Sequence, residues 1–347
     1  MNLKHWMCGL AAATLALAAA GCGRRERQVL HVYTWADYVK PELVQRFEAE
    51  HNCKVVIDTF DSNEAMYAKL KAGATGYDLL FPSSYMVRVM RDQDMLQPLD
   101  HSLIPNLAHI DPDYLKVALD PEMEHSVPYM LTYTGIAYLD GRVPNPEATW
   151  AMFDRADLGG RATMLNDMRE TIGAALKFLG YSLNTSDQGE LEQARDVVLR
   201  WRRNLAKFEN EQYKSGIASA EFLLVHGYSG DILQVQEENE DIVFVLPREG
   251  FSISCDDMVI PRGARQAALA HAFINFLHDP QVAAENSEFI YYVCPNLPSY
   301  ELLPEEMRAD ETMFPPPEIR AKGEVIADLG KDQEKYVRIW DQIKAGQ

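Results

Sequence analysis

From Val29 to Pro82, strand-forming and helix-forming stretches alternate, and this alternation constrains the fold more than any other feature of the chain. "VLHVYTW" and "KVVIDTF" carry β-branched and aromatic residues at strand density, and between them Leu43, Val44 and Phe47 mark one face of a helix. "SNEAMYAKLKAG" reads as a second helix closing near Gly73, and "YDLLFPSS" as a third strand stopping at Pro82. Successive βαβ units demand parallel strands with helices on both faces, an α/β fold. Such sheets hold ligands where a strand gives way to a helix. "YTWADY", Tyr33 to Tyr38, sits at that junction, and rings beside a carboxylate suit an organic cation.

The pattern resumes after an interruption. Residues 126–140, "SVPYMLTYTGIAYLD", form a long extended run with no helical period, which predicts a crossover between two lobes. A helix is expected from Glu190 to Phe208, because Leu191, Ala194, Val198, Trp201 and Leu205 build one apolar stripe. "IVFVLPREGFSISCDDMVIP" reads as strand and returns the chain between lobes near residue 258. The helix bearing Leu269, Phe273, Phe276 and Leu277 comes next, and Asp279 with Pro280 forms an N-cap and first turn for another. At 347 residues there is material for two domains of ordinary size.

Residues 1–21 read as a signal peptide: Lys4 leads into the uncharged segment Trp6–Ala20, which is shorter than the roughly 20 residues that span a bilayer. The small residues Ala19, Ala20 and Gly21 before Cys22 resemble a bacterial lipoprotein box, with Cys22 the lipidated residue. Ala19 stands where leucine is usual, so ordinary secretion remains the alternative. Either route leads out of the cytoplasm. Removing the segment takes away one charged side chain, Lys4, and moves the formal net charge from −19 to −20. Phosphate binding needs a basic stripe, so nucleic acid is not expected as a partner. A cationic ligand would be attracted, although net acidity also serves solubility alone.

Signatures of chemistry mostly fail. "GYSGD", Gly227–Asp231, lacks the second glycine position of a nucleophile elbow, and no P-loop, G-x-G-x-x-G or H-E-x-x-H occurs. His271 and His278 share a helix face and read as solvated rather than metal-binding; no metal site and no cofactor are expected. In "LNDMRETI", Asp167 and Glu170 point the same way on a helix. That pair suits acid–base hydrolysis of a glycoside, a clamp on an ammonium group, or a plain helix cap with Arg169 outward. A polyamine site needs a carboxylate for each ammonium and aromatic faces over the methylenes, and it should be poor in Lys and Arg, which would compete.

"VYTWADY", "FDSNEAMYAKLKAG", "GYDLLFPSSYMVRVMRDQDMLQPLD", "VPYMLTYTGIAYL", "LGYSLNTSD", "LPREG", "INFLHDPQVA" and "GEVIADLG" together resemble the spermidine/putrescine-binding proteins of bacterial ABC importers, in order from Val29 to Gly330. The resemblance implies the two-lobe (type II) periplasmic-binding-protein fold, closing by a hinge on a ligand in the interlobe cleft. Residue by residue it implies a site of Trp35, Asp37 and Tyr38 from the first cluster, Ser83 and Tyr85 from the loop after the third strand, and the acidic pair Asp167 and Glu170. Tyr228, Asp231, Asp256 and Tyr292 complete it. The departures are Tyr228 and Ser254 where the family places tryptophans, and Ile326 where the spermidine type places glutamine.

The same resemblance implies a division into 22–28 tether, 29–134 lobe 1, 135–257 lobe 2, 258–318 return to lobe 1 and 319–347 C-terminal helices of lobe 2. It implies a monomeric, non-enzymatic receptor outside the cytoplasmic membrane, with ABC-transporter membrane subunits as partners and a lipid anchor at Cys22. A polyamine sensor with a membrane partner and a carboxylate-pair hydrolase are the alternatives. Cys255 and Cys294 would lie beside Asp256 and Tyr292, close enough to form a disulfide.

Overall fold

The computed structural model describes residues 27–115 and 118–346; the expected signal segment and Cys22 lie outside the described residues. β1 (Gln28–Thr34) pairs in parallel with β2 (Cys53–Thr59) on one side and β3 (Leu79–Leu80) on the other. Between the first two strands, α1 (Pro41–His51) opens on a proline, whose missing N–H is no loss in a first turn, and buries Leu43 and Phe47. It stops where Asn52 adopts a left-handed backbone, φ 47°. α2 (Asn63–Lys71) is capped by the Ser62 hydroxyl, which accepts the Ala65 N–H, and α3 (Ser84–Asp92) follows β3 directly.

β4 (Ser126–Leu139) is the predicted crossover, buried along nearly its whole length. Beyond it come β5 (Ala162–Met164), α4 (Met168–Phe178), α5 (Gln188–Arg202), β6 (Leu205–Phe208), α6 (Gln212–Ala218), β7 (Leu224–Tyr228), α7 (Ser229–Gln236) and β8 (Ile242–Val245). β9 (Phe251–Val259) brings the chain back to α8 (Ala267–Leu277) and α9 (Pro280–Ile290), before β10 (Gly323–Val325) and α10 (Gln333–Ala345). The strands run in the order β2-β1-β3-β9-β4-β7-β5-β6, with β10 on β9 and β8 on β4. The Ser126–Tyr133 half of β4 pairs antiparallel with β9, and its Thr134–Leu139 half pairs with β7 and β8. One strand therefore serves both halves of the molecule.

Each half has its own core. Leu30, Phe47, Phe81, Tyr129, Met258 and Phe273 pack together from β1, α1, the start of β4, the end of β9 and α8. Ile136, Trp150, Ala175, Val198, Trp201 and Tyr336 pack together from the end of β4, α4, α5 and α10. Burying separate cores on either side of β4 and β9 produces the two-lobe α/β architecture.

Three expectations need correction. The helix expected to reach Phe208 ends at Arg202; Leu191, Ala194, Val198 and Trp201 are buried in it, but Leu205 begins β6 and reaches the same core from a strand paired with β5. His271 and His278 are buried rather than solvated: His271 Nε2 accepts the Asp100 N–H, and desolvation lowers the His278 pKa to about 4. Cys255 and Cys294 are free thiols, as is Cys53. The Cys255 sulfur faces the Asp257 carboxylate at 3.6 Å and the Cys294 sulfur faces His278 Nδ1 at 3.8 Å, so the two point to different partners. Asp279, by contrast, caps α9 as expected, accepting the N–H groups of Gln281 and Val282.

Candidate functional site

A cleft of about 130 Å³ is lined by all eleven predicted residues and by the two departures Ser254 and Ile326. Trp35, Asp37 and Tyr38 come from the turn after β1; Ser83 and Tyr85 from the start of α3; Asp167 and Glu170 from the start of α4. Tyr228 ends β7, Asp231 opens α7, Asp256 lies in β9, and Tyr292 follows α9. Most of these positions are strand-to-helix junctions, where the chain delivers side chains from several elements to one place. Asp37 holds a left-handed backbone, φ 51°, which aspartate tolerates better than most residues, and it is exposed at the rim.

The deeper carboxylates are held by hydroxyls rather than by charges. Asp256 accepts Tyr38 OH and Ser83 Oγ, both at 2.6 Å, while burial pushes its pKa up to about 6. Glu170, 4 % exposed, accepts Thr134 and Ser252 on Oε2 and Ser254 on Oε1 at 3.2 Å. Desolvation, followed by the charge of Asp167, raises it to about 7. Asp167 caps α4 by accepting the N–H groups of Arg169 and Glu170, and burial raises its pKa too. Asp167 thus caps the helix while both carboxylates line the cleft. Carboxylates raised in this way are short of counter-charge, and a cation entering the cleft would supply it.

"GYSGD" turns out to be a packing device. A Cβ on Gly227 would lie 2.7 Å from the Tyr213 ring, and one on Gly230 would lie 2.3 Å from the Tyr292 ring. Both tyrosines use that room to donate their hydroxyls to Asp231 of the same motif, Tyr213 to Oδ2 and Tyr292 to Oδ1 at 3.0 Å. Aromatic faces complete the cleft: Trp35 lies 4.4 Å from the Phe60 ring, and Tyr38 meets Tyr292 edge-to-face at 5.8 Å. Burial keeps the Tyr38, Tyr85, Tyr228 and Tyr292 phenols neutral by raising their pKa values well above the usual range.

Seven acidic side chains line the cleft against two basic ones, Arg169 and Lys214. The expectation of a site poor in Lys and Arg therefore holds by ratio but misses two residues. Arg169 does not face outward: it is 2 % exposed, donates to the carbonyls of Ala327 and Leu183 and to Asn184 Oδ1, and stacks over Tyr336. Phe60, Asp61, Glu211 and Tyr213 were also missed, and no short-range pattern marks them. Among the described residues, no group of three or more His, Cys, Asp or Glu is arranged to hold a metal ion.

Residues 42–315 match the family model described as bacterial extracellular solute-binding protein. The spermidine/putrescine-binding periplasmic protein of Escherichia coli (strain K12) is 34% identical over 348 residues, covering 99% of this chain and all of that protein. The crystal structure of the spermidine/putrescine ABC transporter substrate-binding protein of Streptococcus pneumoniae superposes with a TM-score of 0.81 at 36% identity, covering 92% of this chain and 99% of that one. A lipoprotein of Treponema pallidum superposes with a TM-score of 0.82 at 35% identity, covering 91% and 99%. With a carboxylate-rich interlobe cleft and a family match over most of its length, the chain belongs to the bacterial extracellular solute-binding proteins.

Proposed function

We propose that this protein captures a polyamine, putrescine, spermidine or a similar short organic cation, outside the cytoplasmic membrane and delivers it to an ABC importer without chemical change. The observation that carries the reading is the convergence of Asp37, Asp167, Glu170, Asp231 and Asp256 with Trp35, Tyr38, Tyr85, Tyr228 and Tyr292 around one cleft. The carboxylates receive ammonium groups and the rings cover the methylenes, with Ser83 adding a polar contact. Acids from several chain segments suit multi-point cation binding, whereas a two-carboxylate hydrolase would use Asp167 and Glu170 alone. Relatives named for spermidine, putrescine and ABC transport support the same ligand class and partner.

The lobes divide, in this reading, at 134/135, 257/258 and 318/319, with β4 and β9 as the hinge strands. The mature protein is a monomer held to the membrane by a lipid on Cys22, a mode in keeping with the lipoprotein relative of Treponema pallidum. A thermal-shift panel of diamines, triamines, agmatine, amino acids and sugars tests the ligand class. A specific ligand at a hundredfold excess over Kd adds about 2.7 kcal/mol of apparent stability, so only amines should raise Tm. A shift with sugars or amino acids and none with amines would refute the proposal.

A further inference from the structure

We propose that Lys214 is a specificity-determining residue of the cleft: its ammonium occupies the place beside Asp231 that a third ligand ammonium would need, so the site favours short dications over triamines. The inference rests on the polyamine reading above and deepens it.

Lys214 projects from α6 into the cleft lining, half-buried. Its Nζ lies 4.0 Å from Asp231 Oδ2 and 3.8 Å from Glu211 Oε2. Both oxygens of Asp231 also accept phenol hydroxyls, so this carboxylate already has two donors and a cation. Asp256 and Glu170 are different. Each is held by hydroxyls alone, and among the described residues neither takes part in a salt bridge, which leaves their charge for the ligand. Arg169 does not fill that role, since its guanidinium is bonded to carbonyls and Asn184. A dication can meet the open carboxylates with no conflict. A trication long enough to reach the Asp231 end of the cleft must displace Lys214 from that carboxylate or set an ammonium beside the lysine's own, and either course weakens binding.

Calorimetry with putrescine and with spermidine tests the proposal on the wild type, K214Q, K214R, D231N and the K214Q/D231N double variant. The quantity read is the ratio of the two Kd values, which a general loss of packing would not move. K214Q should shift the ratio toward spermidine by about fivefold or more, and K214R should keep the wild-type ratio. In the D231N background the K214Q shift should vanish, because the carboxylate that Lys214 blocks is gone. An unchanged ratio in K214Q, or a shift that persists in the D231N background, overturns the inference alone. If the wild type binds neither amine, the polyamine reading falls and the inference with it.

Discussion

Glu170→Gln should make the ligand-free protein more stable at alkaline pH while disabling it as a receptor. The wild-type carboxyl has a pKa of about 7 when folded, against 4.5 for the same group in water. Below the lower value it is protonated in both states and contributes nothing to the pH dependence. As pH rises between the two, the unfolded chain ionises first and folded stability falls; above the folded value the loss is complete, about 3 kcal/mol. Glutamine does not titrate. Its oxygen can take the two hydroxyls now on Oε2, Thr134 and Ser252, and its amide can donate to Ser254, so the neutral cage survives. Urea unfolding of ligand-free protein should therefore find the variant within about 1 kcal/mol of wild type at about pH 5 and roughly 2–3 kcal/mol more stable at about pH 8. Polyamine affinity should fall by about 2–5 kcal/mol at the higher pH, the cost of removing one partner from a desolvated charge pair. A stability difference that does not grow with pH would refute the burial argument, and unchanged affinity would remove Glu170 from the site.

Polyamine affinity should rise at least about tenfold from about pH 5 to pH 8, because Asp256 and Glu170, at about 6 and 7, must shed protons to pair with ammonium; a flat calorimetric profile would contradict this. Ser254→Trp adds a ring worth about 0.5–2 kcal/mol against a ligand cation and removes one hydrogen bond to Glu170 worth about 1 kcal/mol, so spermidine should gain relative to putrescine in paired titrations. A thiol reagent should label none of Cys53, Cys255 and Cys294 in native protein beginning after Cys22, and all three once it is unfolded without reductant; a missing pair of thiols would restore the disulfide.

The legible part of the fold was the part set by local chemistry. Leu43 and Phe47 face inward because helical spacing puts them there, and Asp279 caps α9 because a carboxylate before proline can reach two free N–H groups. Leu205 misled because a residue four places after Trp201 fits a helical stripe equally well when the chain has already turned into a strand. The residues that line the cleft were legible through resemblance, but their hydrogen-bond partners were not. Thr134 and Ser252 hold Glu170 from two different strands, and Tyr213 holds Asp231 from α6, contacts that no spacing encodes. Lys214 and Arg169 have the same charge and both line the cleft, yet one faces Asp231 and the other is bonded to backbone carbonyls; only tertiary packing separates them.

A crystal structure of the protein with putrescine bound tests the central claim most directly. One ammonium should lie within hydrogen-bond reach of Asp167 or Glu170, the other beside Asp256, and the methylenes against the Trp35 and Tyr228 rings. An amine bound outside the cleft, or inside it with its nitrogens away from these carboxylates, would contradict the account.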